Sequence, residues 1–303
     1  MISKYTYKNL KWIDLESPTD EELMHVMEEF SIPVLVGEEM HNQSLHSKVD
    51  LYANFMYLIL HFPKLAHNKG KATEQEIDFV IGKNFIITTH YEFIDSLHEF
   101  TKAFEAEAIL EKHLDADHAG FLFYHLIKTL YTNTRYQLED INMLIREAEH
   151  RIFHGEEGEM VKEISTINRM LLDFKQALRF HHEVLKSFDI AGRQFFGEKF
   201  EFYLSAIMDE YTKTKTIMDT HKEILNDLRE TNDSLLANKT NYTIRVLTII
   251  TFLILPITAI SSIFAMNTTI VFIQNDAQFF SVLGTMLLTS CIIFIYFRSK
   301  KWL

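Results

Sequence analysis

The sequence contains few of the residues and motifs on which covalent and metal-dependent chemistry is built. Cys291 is the single cysteine among 303 residues, so no disulfide and no zinc site of several thiolates can form within one chain. The sequence also lacks a Gly-rich phosphate loop, an HExxH zinc helix and a nucleophile elbow. Adjacent His181 and His182 would point about 100° apart on a helix, which makes them a poor chelate. The sequence therefore predicts a protein that is not an enzyme and has no resident cofactor.

Basic residues are in short supply outside the C-terminal part of the chain. Residues 1–240 carry 41 acidic and 26 basic side chains, a formal charge of −15. Such a body is a poor match for nucleic acid and concentrates cations around itself. Carboxylate oxygens are the ligands that Mg²⁺ and Ca²⁺ prefer. The charge balance therefore argues against nucleic acid as a partner and favours divalent cations, although most single carboxylates are expected only to face water.

Two stretches contain no charged residue at all. Residues 246–266 and 277–297 are each long enough to cross a bilayer as a helix, and only about ten residues separate them. Basic residues lie before the first span and after the second, whereas Asp276 is the one charged residue between the spans. By the positive-inside rule, both termini are expected in the cytoplasm. The sequence thus predicts a multi-pass protein of the cell (inner) membrane, in contact with the lipid bilayer.

The first span carries hydroxyl and amide side chains along one side. Steps of seven residues define two adjacent rows, one with Asn241, Thr248, Leu255 and Ser262, and one with Ile244, Thr251, Thr258 and Ala265. For any single threonine, a bond to its own i−4 carbonyl or helix packing explains the hydroxyl equally well. The whole stripe favours several helices around a shared axis, with the polar row facing water.

Proline and glycine are absent between Gly197 and Pro256, which predicts one helix of about sixty residues that starts at Glu198 and enters the membrane. The polar row continues backward along this helix and carries four acidic residues, Asp209, Glu223, Asp227 and Glu230. Several copies of these carboxylates around one lumen would repel one another, so we expect divalent cations bound there to regulate the protein.

The chain is predicted to have three divisions. These are a cytoplasmic α/β and helical domain over residues 1–195, a stalk helix over 196–243, and a transmembrane hairpin with a basic cytoplasmic tail over 244–303. In the first division, LKWIDL is typical of a strand, and SPTDEELMHVMEEF is typical of a helix capped by Ser17 or Thr19. EIDFVI and FIITTH, joined by GKN, indicate a hairpin. Residues 92–195 are predicted to be helical, with a break at FHGEEGE.

One known family combines these features. The stretch NKTNYTIRVLTIITFLILPITAISSIFAMN, residues 238–267, resembles the CorA-type magnesium transporters, which show an Asn, a basic residue, LT, a Leu-Pro-x-Thr step and a closing GxN signature. The ending YFRSKKWL is similar to their basic tail, and WIDLESPTDEEL and VIGKNFIITTH are similar more weakly. The resemblance implies an α+β membrane protein with an N-terminal αβα cytoplasmic domain, a long stalk helix and two C-terminal transmembrane helices, assembled as a homopentameric funnel.

The resemblance also implies roles for single residues. Six positions would line the pore from the cytoplasmic mouth outward, through a hydrophobic constriction at the second and third: Asn241, Ile244, Leu247, Thr251, Leu255 and Thr258. Ala265, Met266 and Asn267 would form the selectivity filter, in which Asn267 supplies an outer ring of amides to the hydrated cation. Asp276 would be the acid of the outer loop.

The implied function is transport of a divalent metal cation, Mg²⁺ first, through a pentameric channel gated by metal binding on the cytoplasmic side. Two departures leave alternatives open, because Ala265 stands where the family has glycine and Phe264 stands where it usually has tyrosine. One alternative is a transporter of the ZntB type for Zn²⁺ or for another divalent cation such as Co²⁺ or Ni²⁺. The other alternative is a membrane scaffold or sensor that does not conduct.

Overall fold

The computed structural model describes residues 1–44, 46–65, 72–105, 118–265 and 276–300. The chain divides into two compact units, Met1–Arg229 and Glu230–Leu303. The first unit holds a mixed sheet and its covering helices, and the second holds two apolar helical segments.

A six-stranded sheet lies at the centre of the first unit. Its strands are β1 Ile2–Tyr7, β2 Leu10–Glu16, β3 Lys48–Leu51, β4 Phe55–Leu65, β5 Ala72–Gly82 and β6 Phe85–His90. The strand order is β1-β2-β6-β5-β4-β3, with β2 and β6 parallel and all other neighbours antiparallel. The LKWIDL strand is part of β2, and the hairpin predicted at GKN joins β5 to β6, so both predictions are confirmed.

Eight α-helices occur in the described residues. They are α1 Asp20–Phe30, α2 Val34–His41, α3 Asp95–Glu105, α4 Ala119–Phe153, α5 Glu157–Ala177, α6 His181–Phe196, α7 Glu201–Ala265 and α8 Asp276–Ser299. The Thr19 hydroxyl accepts from the Glu22 N–H, and the Glu22 carboxylate accepts from the Thr19 N–H, which completes a capping box at α1. Of the two caps predicted, the protein therefore uses Thr19. The predicted break at FHGEEGE separates α4 from α5, which confirms it.

Helices cover both faces of the sheet because β4 is apolar on both sides. Tyr57 lies in a core with Val26 of α1 on one face. Phe62 lies against Tyr131 of α4 on the other face, with 5.3 Å between the ring centroids. Side chains alternate across a strand, so odd and even residues of β4 meet different helices. The predicted αβα arrangement is confirmed.

The long helix predicted from the absence of glycine and proline is α7, which has 65 residues. The predicted start at Glu198 falls in a short 3₁₀ turn, Glu198–Phe200, and α7 itself begins at Glu201. Gly197 separates α6 from this turn with a φ of 87°, a left-handed conformation that favours glycine. Within the first unit, α7 buries one apolar face that consists of Leu204, Ile207, Tyr211, Met218 and Leu225.

The adjacent histidines at the start of α6 lie in different environments. His181 is fully buried, with Nδ1 2.7 Å from the Tyr131 hydroxyl oxygen and Nε2 2.9 Å from the His61 carbonyl oxygen. Because a carbonyl can only accept, Nε2 carries the proton and Nδ1 accepts from Tyr131. Burial lowers the pKa of His181 to about 3, so the ring is neutral. His182 is exposed, and the two rings form no chelate.

A buried polar network ties β2 to β6. Trp12 Nε1 donates to Thr88 Oγ1 at 3.0 Å, and the Thr88 hydroxyl donates to the Asp14 carboxylate. His90 Nε2 lies 3.3 Å from the same carboxylate, and His90 Nδ1 lies 2.6 Å from the Glu92 carbonyl oxygen. Burial lowers the pKa of His90, but the bond to Asp14, the charge of Asp14 and the Glu92 carbonyl raise it, and the result lies above the ordinary value.

His90→Gln should destabilise the protein more at pH 5 than at pH 9. Because folding raises the pKa of His90, its charged form stabilises the fold below the unfolded value of about 6.5, and this contribution is lost as the pH rises through the folded value. A hydrogen bond to a charged group contributes about 1–3 kcal/mol, which sets the loss expected at pH 5. Chemical unfolding followed by tryptophan fluorescence measures it, with His182→Gln as the control. Equal losses at both pH values would contradict the charge assignment.

Candidate ion-conduction site

Two helices in the described part of the chain are long and apolar enough to span a membrane. They are α7 and the segment Phe279–Ser299 of α8. Residues 246–265 of the first predicted span lie in α7, and the second predicted span lies in α8. Length and composition alone support this assignment.

One side of α7 is covered by α8. Ile249 of α7 is 3% exposed and Phe297 of α8 is 8% exposed. The Phe297 ring lies 5.7 Å from the Phe252 ring, and Ser290 Oγ donates to the carbonyl oxygen of Leu253 at 3.1 Å. The buried or half-buried residues of α7 in this region recur mainly at helical spacing, and the row consists of Ile249, Leu253, Pro256 and Ile260.

The predicted pore-lining residues lie on the other side of α7. Ile244 is 56% exposed, Leu247 is 63% exposed and Leu255 is 54% exposed. At about 100° per residue, Thr251 lies opposite Ile260, which belongs to the row that faces α8. The exposed set contains every lining position predicted from the sequence, namely Asn241, Ile244, Leu247, Thr251, Leu255 and Thr258. We call this set the α7 stripe.

The hydroxyls on this side are hydrogen bonded within α7. Thr248 and Thr251 donate to the carbonyls four residues earlier at 2.8 and 2.9 Å, and Thr258 donates to the carbonyls of Ile254 and Leu255. The i−4 bonding that the sequence left open is therefore present. It does not make the stripe apolar, because each oxygen has donated its hydrogen and keeps lone pairs that accept from water.

Pro256 lies inside α7 and has no N–H, so it cannot donate to the carbonyl of Phe252. The helix nevertheless continues to Ala265. Side chains of a neighbouring helix satisfy backbone groups near a proline in a membrane, and Ser290 of α8 binds the next carbonyl, that of Leu253. Sequence reasoning missed Ser290. The signal that could have found it is a serine in an apolar span, where small hydroxyl residues join helices.

The predicted filter is described only in part. Ala265 is the last residue of α7 and is exposed, and Phe264 beside it is 42% exposed. Met266 and Asn267 lie outside the described residues. Asp276, predicted as the acid of the outer loop, is the first residue of α8.

The four acids predicted as regulatory ligands are exposed along α7: Asp209, Glu223, Asp227 and Glu230. In the ranges that the structure describes, no group of three or more His, Cys, Asp or Glu side chains is placed to hold a metal ion. Glu210, which the sequence did not single out, is 8% exposed and pairs with Arg135 of α4 at 2.8 Å. This carboxylate joins two helices and does not belong to the exposed acidic row.

Ser290→Ala should weaken the pairing of α8 with α7, whereas Thr289→Val should not. The Ser290 hydroxyl binds Leu253 on the other helix, but the Thr289 hydroxyl donates within α8, to Thr285 at 2.9 Å. An interhelical hydrogen bond in a membrane is worth about 0.5–2 kcal/mol. Unfolding of the purified protein by titration with SDS, followed by circular dichroism, measures the difference. A midpoint for Ser290→Ala equal to that of the wild type would remove this role.

Comparisons with known proteins place this geometry in one family. A family model described as CorA-like Mg²⁺ transporter protein matches residues 7–301. The cobalt/magnesium transport protein CorA of Thermotoga maritima is 24% identical over 282 residues, which cover 93% of this chain and 80% of that protein. The protein of the same name from Methanocaldococcus jannaschii is 24% identical over 306 residues, with 97% and 92% coverage.

A solved structure shows the same fold. The complete structure of the CorA magnesium transporter from Methanocaldococcus jannaschii matches with a TM-score of 0.83 at 20% identity, and the match covers 99% of this chain and 94% of that one. Since the family model covers nearly the whole chain, this protein belongs to the CorA-like Mg²⁺ transporter family.

Proposed function

We propose that this chain is the protomer of a channel that carries divalent metal cations, with Mg²⁺ as its main substrate, across the cell (inner) membrane. The α7 stripe is the observation that carries the proposal, because it presents hydroxyl, amide and aliphatic side chains on the side that α8 leaves uncovered. Membership in the CorA-like family supports the same function.

The stripe calls for more than one chain. Facing lipid, the hydroxyl oxygens of Thr251 and Thr258 would find no water, whereas in a ring of helices they would face a wet axis. A closed ring of identical chains places every copy of the stripe in the same environment. The resemblance to CorA-type transporters favours five copies, so the proposed assembly is a homopentameric funnel.

Each level of the α7 stripe has a role in the proposed pore. Asn241 forms the cytoplasmic mouth, and Ile244 and Leu247 form apolar rings that close the pore by excluding water. Leu255 forms a further apolar ring in the upper pore. Mg²⁺ sheds its water reluctantly, so the hydroxyl oxygens of the threonine levels would contact the water shell of the ion instead of the ion itself.

Ala265, Met266 and Asn267 form the proposed selectivity filter at the outer end of α7. Five Asn267 amides would supply oxygen dipoles without fixed charge, which orient a hydrated cation and still release it. Asp276 in the outer region would raise the local concentration of cations. Ala265 lacks the freedom of glycine at positive φ, so the backbone turn that follows α7 has to occur beyond it.

The orientation follows from the basic residues. Lys239 and Arg245 precede the first span, and Arg298 and Lys300 follow the second, so both termini are proposed to face the cytoplasm. Residues 1–195 would then form the cytoplasmic domain, 196–243 the stalk, and 244–303 the transmembrane hairpin and its basic tail.

The exposed acids of α7 are the proposed site of regulation by the transported ion. Copies of Asp209, Glu223, Asp227 and Glu230 from five chains would repel one another around a shared lumen. Divalent cations bound there would relieve the repulsion and favour a closed, symmetric funnel when the cytoplasm is rich in Mg²⁺.

Cation uptake into liposomes that contain the purified protein tests the proposed function. We expect entry of Mg²⁺ down its gradient and a pentamer by native mass spectrometry. Uptake of Zn²⁺, Co²⁺ or Ni²⁺ without Mg²⁺ would instead assign the chain to a transporter of the ZntB type. A stable pentamer that conducts nothing would assign it to a scaffold or sensor, and mainly monomer or dimer would contradict the ring.

Asn267→Ala should abolish selective divalent flux and leave the oligomer assembled. The alanine removes the amide dipole that orients the hydrated cation without adding bulk. Asn275→Ala, which removes an amide elsewhere in the same loop region, is the matched control and should conduct like the wild type. Competition between Mg²⁺ and Na⁺ in the liposome assay measures the preference. An unchanged preference in Asn267→Ala would mean that the filter lies elsewhere.

Leu247→Ser should raise the resting conductance, because a hydroxyl in the narrow apolar ring lets water remain there. Ile257→Ser introduces the same side chain at an exposed position of α7 about 80° away around the helix, outside the stripe, and should leave conductance unchanged. Electrical recording in planar bilayers compares the two variants with the wild type. If Leu247→Ser assembles and conducts no more than the wild type, the constriction is not at this level.

A further inference from the structure

Two histidines meet on the last turn of α4. His150 and His154 are four residues apart on the helix and both are exposed. Their rings stack with 4.0 Å between the centroids and 23° between the planes. Residues four apart lie one above the other on a helix, so both imidazoles can reach one ion with small side-chain rotations.

The hydrogen bonding of His154 leaves a nitrogen ready to bind. His154 Nδ1 lies 2.7 Å from the carbonyl oxygen of His150. Because the carbonyl can only accept, Nδ1 carries the proton and Nε2 keeps its lone pair. Histidines that bind metals commonly donate their other nitrogen to a backbone carbonyl in this way, which orients the ring.

Nearby carboxylates are already engaged by an arginine. Arg151 pairs with Glu156 at 2.7 Å, Glu159 at 3.2 Å and Glu163 at 2.7 Å. These ion pairs hold the acids of the α4–α5 turn on Arg151. The donors offered on the histidine side of α4 are therefore mainly nitrogen.

Two further donors lie on the same exposed face of α4. Met143 and Glu147 occupy positions seven and three residues before His150, and both are exposed. The face thus presents a thioether, a carboxylate and two imidazoles. This mixture suits a borderline transition metal better than a hard ion such as Mg²⁺.

The end of the helix also favours a cation. His154 is the C-cap of α4, a helix of 35 residues. The last carbonyls of a helix give its C-terminus a partial negative charge, so a dication beside the final turn is stabilised.

We propose that His150 and His154 form a binding site for a transition-metal dication of the Zn²⁺, Ni²⁺, Co²⁺ or Cu²⁺ class, completed by water. Metal affinity for imidazole ligands rises along this series towards copper, and Mg²⁺ takes oxygen ligands instead. The site lies in the first unit, and it does not depend on the proposed channel function. A bound ion would join two successive turns and stabilise the end of α4.

Titration of the full-length protein in detergent with NiCl₂, in the presence of millimolar MgCl₂, tests the site by calorimetry. Mg²⁺ occupies oxygen sites and leaves imidazole sites free. We expect one Ni²⁺ class per chain that becomes at least about tenfold weaker in His150→Gln and in His154→Gln. His182→Gln, an exposed histidine on α6, is the matched control and should bind Ni²⁺ like the wild type.

A thermal measurement provides an independent readout. Ni²⁺ should raise the melting temperature of the wild type and of His182→Gln, but not that of His154→Gln, because binding to the folded state adds to stability. Equal Ni²⁺ affinity in the wild type and both site variants would overturn the proposal. Loss of the Ni²⁺ signal on adding MgCl₂ would also overturn it, because the ion would then be held by oxygen.

Discussion

The pairing of α8 with one side of α7 is the interaction on which the candidate site depends. In lipid, two helices gain little from the hydrophobic effect, so packing and specific hydrogen bonds hold them together. Here the packing is that of Phe297 against Phe252 and Ile249, and the specific bond is that of Ser290 to the Leu253 carbonyl. Because this side of α7 is taken, the opposite side is the one available for a shared axis. The polar stripe lies there.

Backbone hydrogen bonding in an apolar medium explains how α7 can hold a proline and hydroxyl side chains in the same span. Pro256 removes one donor, and a neighbouring helix supplies a hydroxyl one residue along. Thr251 and Thr258 place their own hydrogens on carbonyls of α7, so no donor is left in the apolar region. Their oxygens remain acceptors, which is the polarity that a hydrated cation requires.

The first unit follows the same rule by another route. Its buried titratable groups are matched by partners, as the neutral His181 is by Tyr131 and a carbonyl, and as His90 is by Asp14. Burial without partners would have been costly for each of them. Histidines that need no such partners remain on the surface, and the pair at the end of α4 is stacked there, where an ion can reach it.

Local patterns by themselves determined the two spans, the polar row, the break between α4 and α5, and the length of α7, because each depends on neighbours in sequence. The sequence left two caps for α1 and placed the start of α7 at Glu198; packing and the conformation of Gly197 selected Thr19 and Glu201. Only the tertiary structure decided which side of α7 meets α8, that Ser290 bonds to Leu253, and that Glu210 is buried beside Arg135. These contacts join residues far apart in the chain, and periodicity reports only which residues share a face, not what that face meets.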